Sequence, residues 1–383
     1  MCGIVGFASN SSECISIQGE RLQAALESLS HRGPDGKGQY QDGKIWLGHT
    51  RLIVLDLSEA GNQPMRTHDG RFVISYNGEV YNFRELVEEV GMVDLASSSD
   101  TEVVLRLFAE NGIDSLIKLN GMFSFSIYDK QLQRLWLVRD RLGIKPLYYR
   151  FGPTGLVFAS EIKAIHALTG LKPVFDISSL HEWLYYGNVL GGRTLYQGIM
   201  QVLPGHYLEL DLNTFQYVIR EYWSLPRQAD QVLENHNKQT LIAETCRLLE
   251  QAVRRQLVSD VPVGVFLSGG VDSSAITAFA SMHYKGKLTT FSAGFDFSRD
   301  GGELPKAKRI AKLFGTDHHE MYIAGSDIGG LVEQMIHSHD MPFSDSANIP
   351  LFLMASDLCT QVKVVCRVMV VTNCSGVIDG IPH

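Results

Sequence analysis

A cysteine directly follows the first methionine, and that placement is chemically unusual. Removal of Met1 would put the Cys2 thiol and a free α-amine on one residue. Such an amine titrates at about 7.7–8.0, so near neutral pH part of it is an unprotonated base beside the sulfur. That is a nucleophile carrying its own proton acceptor. Far downstream, Ser268-Gly269-Gly270-Val271-Asp272-Ser273-Ser274 lies between the apolar run Val261–Leu267 and a helical stretch starting near Ala275. Strand, glycine-rich turn and helix in that order aim backbone N–H groups and a helix dipole at a phosphate. The run lacks Gly-x-x-x-x-Gly-Lys-Ser/Thr, so it is not the loop that passes on a terminal phosphate.

Other residues have two readings each. Arg51 sits in the strand candidate Trp46–Leu55, where a guanidinium amid apolar neighbours needs an anion. That anion is either a carboxylate ligand held in two bonds or an internal Asp. Asn77-Gly78-Glu79 interrupts the β runs Phe72–Tyr76 and Val80–Asn82. It is either a hairpin turn or a pair of donors aimed at one developing oxyanion. Asp100 opens the helix carrying Val103, Val104, Leu107 and Phe108, as a neighbour of the N-cap or as a ligand. Asp317-His318-His319-Glu320 has its histidines adjacent rather than at i, i+4, so it reads as structural or as part of an interface, and no metal site is expected. His31 and His49 also read as structural, since the α-amine serves as base.

The elements that must position these groups follow from periodicity. Gly3-Ile4-Val5-Gly6-Phe7 is a buried strand with small residues near the thiol, and Gly19–Leu29 is a helix with Leu22, Ala25, Leu26 and Leu29 on one face. Met122–Asp129 and Arg134–Arg139 form a hairpin pair, and Leu156–Ser160 and Leu203–Leu210 are further strands. Many short strands with helices between strand groups imply stacked, mostly antiparallel sheets covered by helices. Arg227–Gln239 is a polar linker and Leu241–Leu257 a helix. The strands Leu288–Phe295 and Val362–Val365 and the helices Leu304–Phe314 and Leu351–Gln361 complete an α/β layer.

The 383 residues are 45% hydrophobic and 20% charged, enough for two domains with their own cores. A net charge of −8 without a basic run argues against nucleic acid, and no apolar run approaches a membrane span of roughly 20 residues. The six cysteines (Cys2, Cys14, Cys246, Cys359, Cys366, Cys374) follow neither a disulfide nor a metal spacing, so reduced thiols in the cytoplasm are expected. No signal-peptide pattern opens the chain.

Taken together, Cys2-Gly3-Ile4, His31-Arg32-Gly33-Pro34-Asp35, Gly48-His49-Thr50-Arg51-Leu52, Asn77-Gly78-Glu79-Val80-Tyr81-Asn82, Ser99-Asp100 and Arg139-Asp140-Arg141-Leu142-Gly143 stand in the order seen in class II glutamine amidotransferases. They resemble most the glutaminase half of glutamine-hydrolysing asparagine synthetases. The resemblance implies that Cys2 attacks the side-chain amide of glutamine, that Asn77 and Gly78 hold the oxyanion, and that Arg51 binds the substrate carboxylate. Asp100 and Glu79 would face the α-amine, and the backbone of Leu52, Ile53, Val54 and Leu55 would line the pocket. Ser-Gly-Gly-x-Asp-Ser resembles the loop of ATP pyrophosphatases. Ser268, Gly269, Gly270, Asp272 and Ser273 would cradle pyrophosphate, with Leu267 and Ala293 flanking the adenosine. Phe343-Ser344-Asp345-Ser346 resembles the segment near the second substrate.

The expected build is therefore an α+β N-terminal-nucleophile domain of stacked antiparallel sheets with helices (residues 2–215), followed by a linker (216–239). After it come the first part of an α/β, Rossmann-like ATP-pyrophosphatase domain (240–365) and a tail (366–383). The implied reaction takes glutamine, aspartate and ATP with Mg2+ and gives asparagine, AMP and pyrophosphate, in a homodimer. Alternatives are an amidotransferase acting on another carboxylate, such as a cell-surface polymer or peptide, and a free-standing glutaminase or inert product. In the family the strand after residue 361 leads into Ser-Gly-Asp-Gly-Gly-Asp-Glu-Leu-Phe-Gly-Gly-Tyr. Back-translating from Cys366 with each codon begun one base earlier spells that run. The expectation is one missing nucleotide near Val365, leaving an out-of-frame tail and a chain that retains only the glutaminase half.

Overall fold

The computed structural model of the chain describes residues 1–11, 19–225, 237–295, 302–323, 328–342, 348–358 and 362–366. One unit comprises Met1–Ser224 together with residues 340–342, and the rest of the described residues form another.

The first unit contains β1 (Gly3–Ser9), α1 (Gly19–Glu27), β2 (Gly36–Asp42), β3 (Ile45–Arg51), β4 (Met65–Arg66), β5 (Phe72–Val80), α2 (Phe83–Val90) and α3 (Asp100–Asn111). It continues with β6 (Gly121–Asp129), β7 (Arg134–Arg139), β8 (Tyr148–Gly152), β9 (Gly155–Ala159), α4 (Ile162–Thr169), α5 (Ile177–Tyr186), β10 (Met200–Gln201), β11 (His206–Asp211) and β12 (Tyr217–Glu221). Two antiparallel sheets result, in the orders β10-β8-β9-β1-β3-β2 and β12-β11-β7-β6-β5-β4. All seven residues of β1 are buried, which explains why its run is apolar without alternation. Ile4 and Ala8 pack with Leu137 and Leu208 of the other sheet, while Val5 and Phe7 pack with Leu26 of α1 and Ile165 of α4. On the far side, Phe108 of α3 meets Phe72 and Trp136 edge-on. The layers are thus helix, sheet, sheet, helix.

Three expectations are corrected. The break at Asn77-Gly78-Glu79 does not occur: β5 runs unbroken, with Asn77 opposite Ser124 and Gly78 opposite Phe123. Glycine interrupts the propensity but not the ladder. A Cβ at Gly78 would come within 2.5 Å of the Met122 carbonyl oxygen, so the close approach of β6 requires it. The strand read as Trp46–Leu55 ends at Arg51, because β1 offers no pairing beyond Gly3 opposite Thr50. The first unit runs to Ser224 rather than to about residue 215, since β12 adds to the sheet along β11. The start of the expected linker is therefore strand, and residues 226–236 lie outside the described residues, as do Phe343–Ser346 and the tail from 367.

The second unit contains α6 (Lys238–Gln256), β13 (Val263–Phe266), α7 (Val271–His283), β14 (Thr289–Phe295), α8 (Leu304–Phe314), β15 (Asp317–Ile323), α9 (Ile328–Ser338), α10 (Asn348–Leu358) and β16 (Val364–Cys366). α6 starts ahead of Leu241 because the Asn237 side chain caps it, accepting from the Thr240 N–H at 2.9 Å. The sheet is parallel, in the order β15-β14-β13-β16. Val265 of β13 packs with Val253 of α6 and Ala280 of α7, and Phe266 packs toward Met354 of α10. Strand order reverses at β13, the place where open parallel sheets form a ligand crevice at their carboxyl ends.

Candidate functional site

The pairing of Gly3 with Thr50 sets Cys2 beside the residue that follows β3. The Leu52 N–H donates to Cys2 Sγ at 3.4 Å, and the thiol faces the Leu52 carbonyl at 3.7 Å. The Cys2 carbonyl accepts from Arg32 Nε at 3.0 Å, and Arg32 Nη1 donates to Glu161 Oε1 at 2.7 Å. Burial pushes the Cys2 thiol up, against the amine and Lys145, which pull it down. Burial also lowers the Met1 α-amine to about 5, with Arg32 and Lys145 acting in the same direction.

Arg51 is buried, and part of its guanidinium is spoken for. Nη1 donates to Ser58 O at 2.8 Å and to Asn62 Oδ1 at 2.9 Å, and Nη2 donates to Asp56 O. These three bonds leave two of its five N–H groups. Asp100 is the first residue of α3, behind the N-cap Ser99. Its Oδ2 accepts from Tyr76 Oη at 2.7 Å and from the Val80 N–H at 2.8 Å, and burial pushes its carboxyl up.

These groups line one small pocket of about 30 Å³. Cys2, Arg51, Leu52, Val54, Leu55, Gly78, Glu79 and Asp100 all border it, together with Gln63, Tyr76 and Thr101. Two expected residues do not. Ile53 turns its N–H to Asp35 Oδ2 at 2.8 Å. Asn77 lies in β5 outside the lining, buried, and its Nδ2 has no hydrogen-bond partner. His49 is fully buried, its Nε2–H donating to the Tyr76 carbonyl at 3.0 Å, and burial lowers it to about 4. His31 pairs with Glu161 at 3.1 Å. Arg32 and Lys145 went unassigned from sequence. The signal that singled out Arg51, a basic residue inside an apolar stretch, also applies to Gly143-Ile144-Lys145-Pro146-Leu147.

In the second unit Ser268, Gly269 and Gly270 connect β13 to α7, whose N-cap is Gly270. Gly269 has φ +80°, and a Cβ there would lie 2.7 Å from Lys306 Cβ and 2.8 Å from Ala307 N. The Ser268 and Ser273 hydroxyls lie 3.0 Å apart, and Ser268 Oγ accepts from the Gly270 N–H. Asp272 is exposed in the first turn of α7. Leu267 donates its N–H to Phe291 O, its carbonyl accepts from Ser292 Oγ, and its side chain packs under Ala307. Ala293 is half-buried on the adjacent strand β14. Hydroxyls and amides around a glycine turn at a helix N-terminus suit phosphate oxygens. Among the described residues no group of three or more His, Cys, Asp or Glu could hold a metal ion. A larger cavity, about 290 Å³, lies over β14 and β15 against α10 (Phe291, His318, His319, Met354), not at this loop.

Residues 1–223 match the family model for the glutamine amidotransferase domain, and residues 244–366 match that for asparagine synthase. A putative glutamine-hydrolyzing asparagine synthetase 2 of Methanocaldococcus jannaschii is 34% identical over 373 residues, covering 92% of this chain and 70% of that protein. The glutamine-hydrolyzing asparagine synthetase 3 of Bacillus subtilis is 33% identical over 360 residues, covering 89% of this chain and 57% of that protein. The chain thus spans only part of the length of these relatives. Among solved structures, a glutamine phosphoribosylpyrophosphate amidotransferase from B. subtilis aligns over 90% of this chain and 94% of that one, at 14% identity and a TM-score of 0.46.

Proposed function

Because the chain belongs to the glutamine-hydrolysing asparagine synthetase family, we propose that its first unit cleaves glutamine at Cys2 and that its second takes part in ATP-dependent amidation of aspartate. After loss of Met1, the Cys2 thiol passes its proton to its own α-amine as Sγ bonds to the side-chain amide carbon. The π electrons of the amide move to oxygen, where Asn77 Nδ2 and the Gly78 N–H stabilise them. The amine then gives the proton to the departing nitrogen, ammonia leaves, and water hydrolyses the thioester to glutamate. The two remaining N–H groups of Arg51 take the substrate α-carboxylate, and Asp100 and Glu79 take its α-ammonium. Leu52, Val54 and Leu55 shape the wall, and the Ile53 backbone runs between them.

One observation carries this reading: Cys2, Arg51, Gly78, Glu79 and Asp100 converge on one pocket, and the adjacent Asn77 has a buried nitrogen without a partner. Such a donor costs stability unless a ligand uses it. In the second unit Ser268, Gly269, Gly270, Asp272 and Ser273 would hold pyrophosphate, with Leu267 and Ala293 beside the adenosine. ATP bound there would supply carboxylate activation, with pyrophosphate as the leaving group; among the described residues no acidic cluster is found for the Mg2+ that would accompany it. Three free cysteines among the described residues fit a reducing, cytoplasmic setting, and a homodimer rests on the family resemblance alone. Among the described residues no helix is long and apolar enough to cross a membrane.

The test is ammonia release from glutamine by the purified chain, with its amino terminus read by mass spectrometry. Release that stops on Cys2→Ala supports the reading. Release that persists on Cys2→Ala, or a chain active with Met1 attached, removes it.

A further inference from the structure

The Arg139–Pro146 segment is held far more tightly than a surface loop requires. Arg139 donates to three backbone carbonyls: Lys145 O and Val202 O at 2.8 Å, and Gly143 O at 2.6 Å. The Asp140 carboxylate accepts from four backbone N–H groups, those of Phe123, Leu142, Ile144 and Lys145, at 2.9–3.2 Å. The product of this scaffolding is Lys145, only 5% exposed.

Its surroundings are those of the nucleophile. Tyr148 of β8 pairs with Ala159 of β9, which pairs with Val5 of β1, so residues 145 and 2 lie level, three residues ahead of that row. The Asp140 carboxylate that holds the Lys145 N–H also holds that of Phe123, the residue opposite Gly78 of the pocket. In keeping with this, the charged groups that act on Lys145 include Arg32, Glu79, Asp140 and Cys2. Arg32 is the residue bonded to the Cys2 carbonyl, and Glu79 borders the Cys2 pocket. Burial lowers the Lys145 ammonium to about 8, so at neutral pH it remains mostly charged. A cation taken out of water is costly, and such groups concentrate where charge develops during a reaction.

We propose that Lys145 is a positioning residue of the glutaminase site, whose ammonium stabilises negative charge on Cys2 Sγ as it attacks. This rests on the reading of Cys2 as the nucleophile. Lys145 neither gives nor takes a proton in the step. The thiol proton goes to the α-amine, the C–S bond forms, and the amide π pair moves to oxygen, while the ammonium supplies fixed positive potential. It complements the Asn77 and Gly78 donors by acting on the sulfur rather than on the oxygen.

The experiment measures carbamidomethylation of Cys2 by iodoacetamide against pH, read by mass spectrometry, in the unsubstituted chain, Lys145→Met and Lys145→Arg. Lys145→Met is expected to move the alkylation midpoint up by about one pH unit and to slow alkylation at pH 7 by roughly five- to tenfold. Lys145→Arg is expected to keep the midpoint. Ammonia release should fall in kcat for Lys145→Met with KM nearly unchanged. A Lys145→Met protein that unfolds at the unsubstituted temperature with an unmoved midpoint overturns the proposal. So does a Lys145→Arg midpoint displaced as far as that of Lys145→Met.

If Lys145→Met does not fold, the unsubstituted protein decides by reciprocity of the coupling. With isotope-labelled lysine, the NMR titration of Lys145 should move to lower pH once Cys2 is capped by the neutral carbamidomethyl group, and no movement overturns the proposal. Absence of ammonia release from the unsubstituted protein would instead sink the glutaminase reading, with the alkylation midpoints still deciding the role of Lys145.

Discussion

The backbone nitrogen of Leu52 donates to Cys2 Sγ across 3.4 Å, tying the first residue of a loop to the residue just ahead of the first strand. β3 ends at Arg51, so this one contact joins the nucleophile to the wall that also carries Val54 and Leu55. The sulfur is held by main chain, which leaves its position insensitive to side-chain substitution in the loop.

Replacing that sulfur is the sharpest test of the chemistry. Cys2→Ser keeps a hydroxyl nucleophile and the α-amine but loses the intrinsic reactivity of sulfur. Ammonia release should fall at least about 100-fold in Cys2→Ser and vanish in Cys2→Ala. Coupled glutamate and ammonia assays check this.

Asn77→Ala should separate catalysis from stability. Loss of one oxyanion donor costs about 10²–10³ in kcat, with little change in KM. Because Nδ2 is buried without a partner, its removal should leave the melting temperature unchanged or raised. Steady-state kinetics and calorimetry on one preparation check both halves.

Asp100→Asn keeps an acceptor for Tyr76 Oη and the Val80 N–H but removes the charge. KM for glutamine should rise roughly 10- to 100-fold with kcat less affected, since a charged partner for the α-ammonium is lost. Burial raises the Asp100 carboxyl, so its ionisation opposes folding above its unfolded range. The substitution should therefore not lower the melting temperature at pH 7.

Asp340 gives a pH signature. Its carboxylate accepts from the Ile162 and Lys163 N–H groups at the start of α4. Burial and Glu161 raise it to about 6 from an ordinary 3.8. A raised folded value means that its contribution is fully present below about pH 4 and is lost as pH climbs through 6. Asp340→Asn should flatten the stability profile between pH 4 and 6, by roughly 1–3 kcal/mol across the window. An unchanged slope in denaturant titrations over that range would contradict the assignment.

Gly269→Ala tests the phosphate loop. The backbone there is left-handed at φ +80°, and the added methyl would meet Lys306 and Ala307. The second unit should lose about 1–2 kcal/mol or more of stability. Binding of a fluorescent ATP analogue should be lost in the same variant, while ammonia release stays intact.

Much of this architecture is legible in the chain because local signals and packing agree. β1 reads as a buried strand since both its faces are covered, and Ser268–Gly270 reads as a tight turn from strand into helix since Gly269 takes up φ +80° there. The failures have physical causes. Asn-Gly has strong turn propensity, yet the ladder to β6 overrides it, because tertiary pairing supplies what local preference withholds. β12 is exposed at all five residues, so nothing in its hydrophobic pattern distinguishes it from linker, and only its register with β11 makes it strand. Arg32 and Lys145 escape for a different reason. Their importance lies in what they approach across the fold, and sequence spacing does not encode the approach of residues 32 and 145 to residue 2.

The segment after β3 is tied down along its length: Leu52 N–H to Cys2 Sγ, Ile53 N–H to Asp35 Oδ2, the Asp56 and Ser58 carbonyls to the Arg51 guanidinium, and Asp56 Oδ2 to the Ser98 N–H. One side chain, Arg51, therefore braces the same stretch of backbone that touches the sulfur. A disturbance at Arg51 would reach the pocket wall and the thiol together.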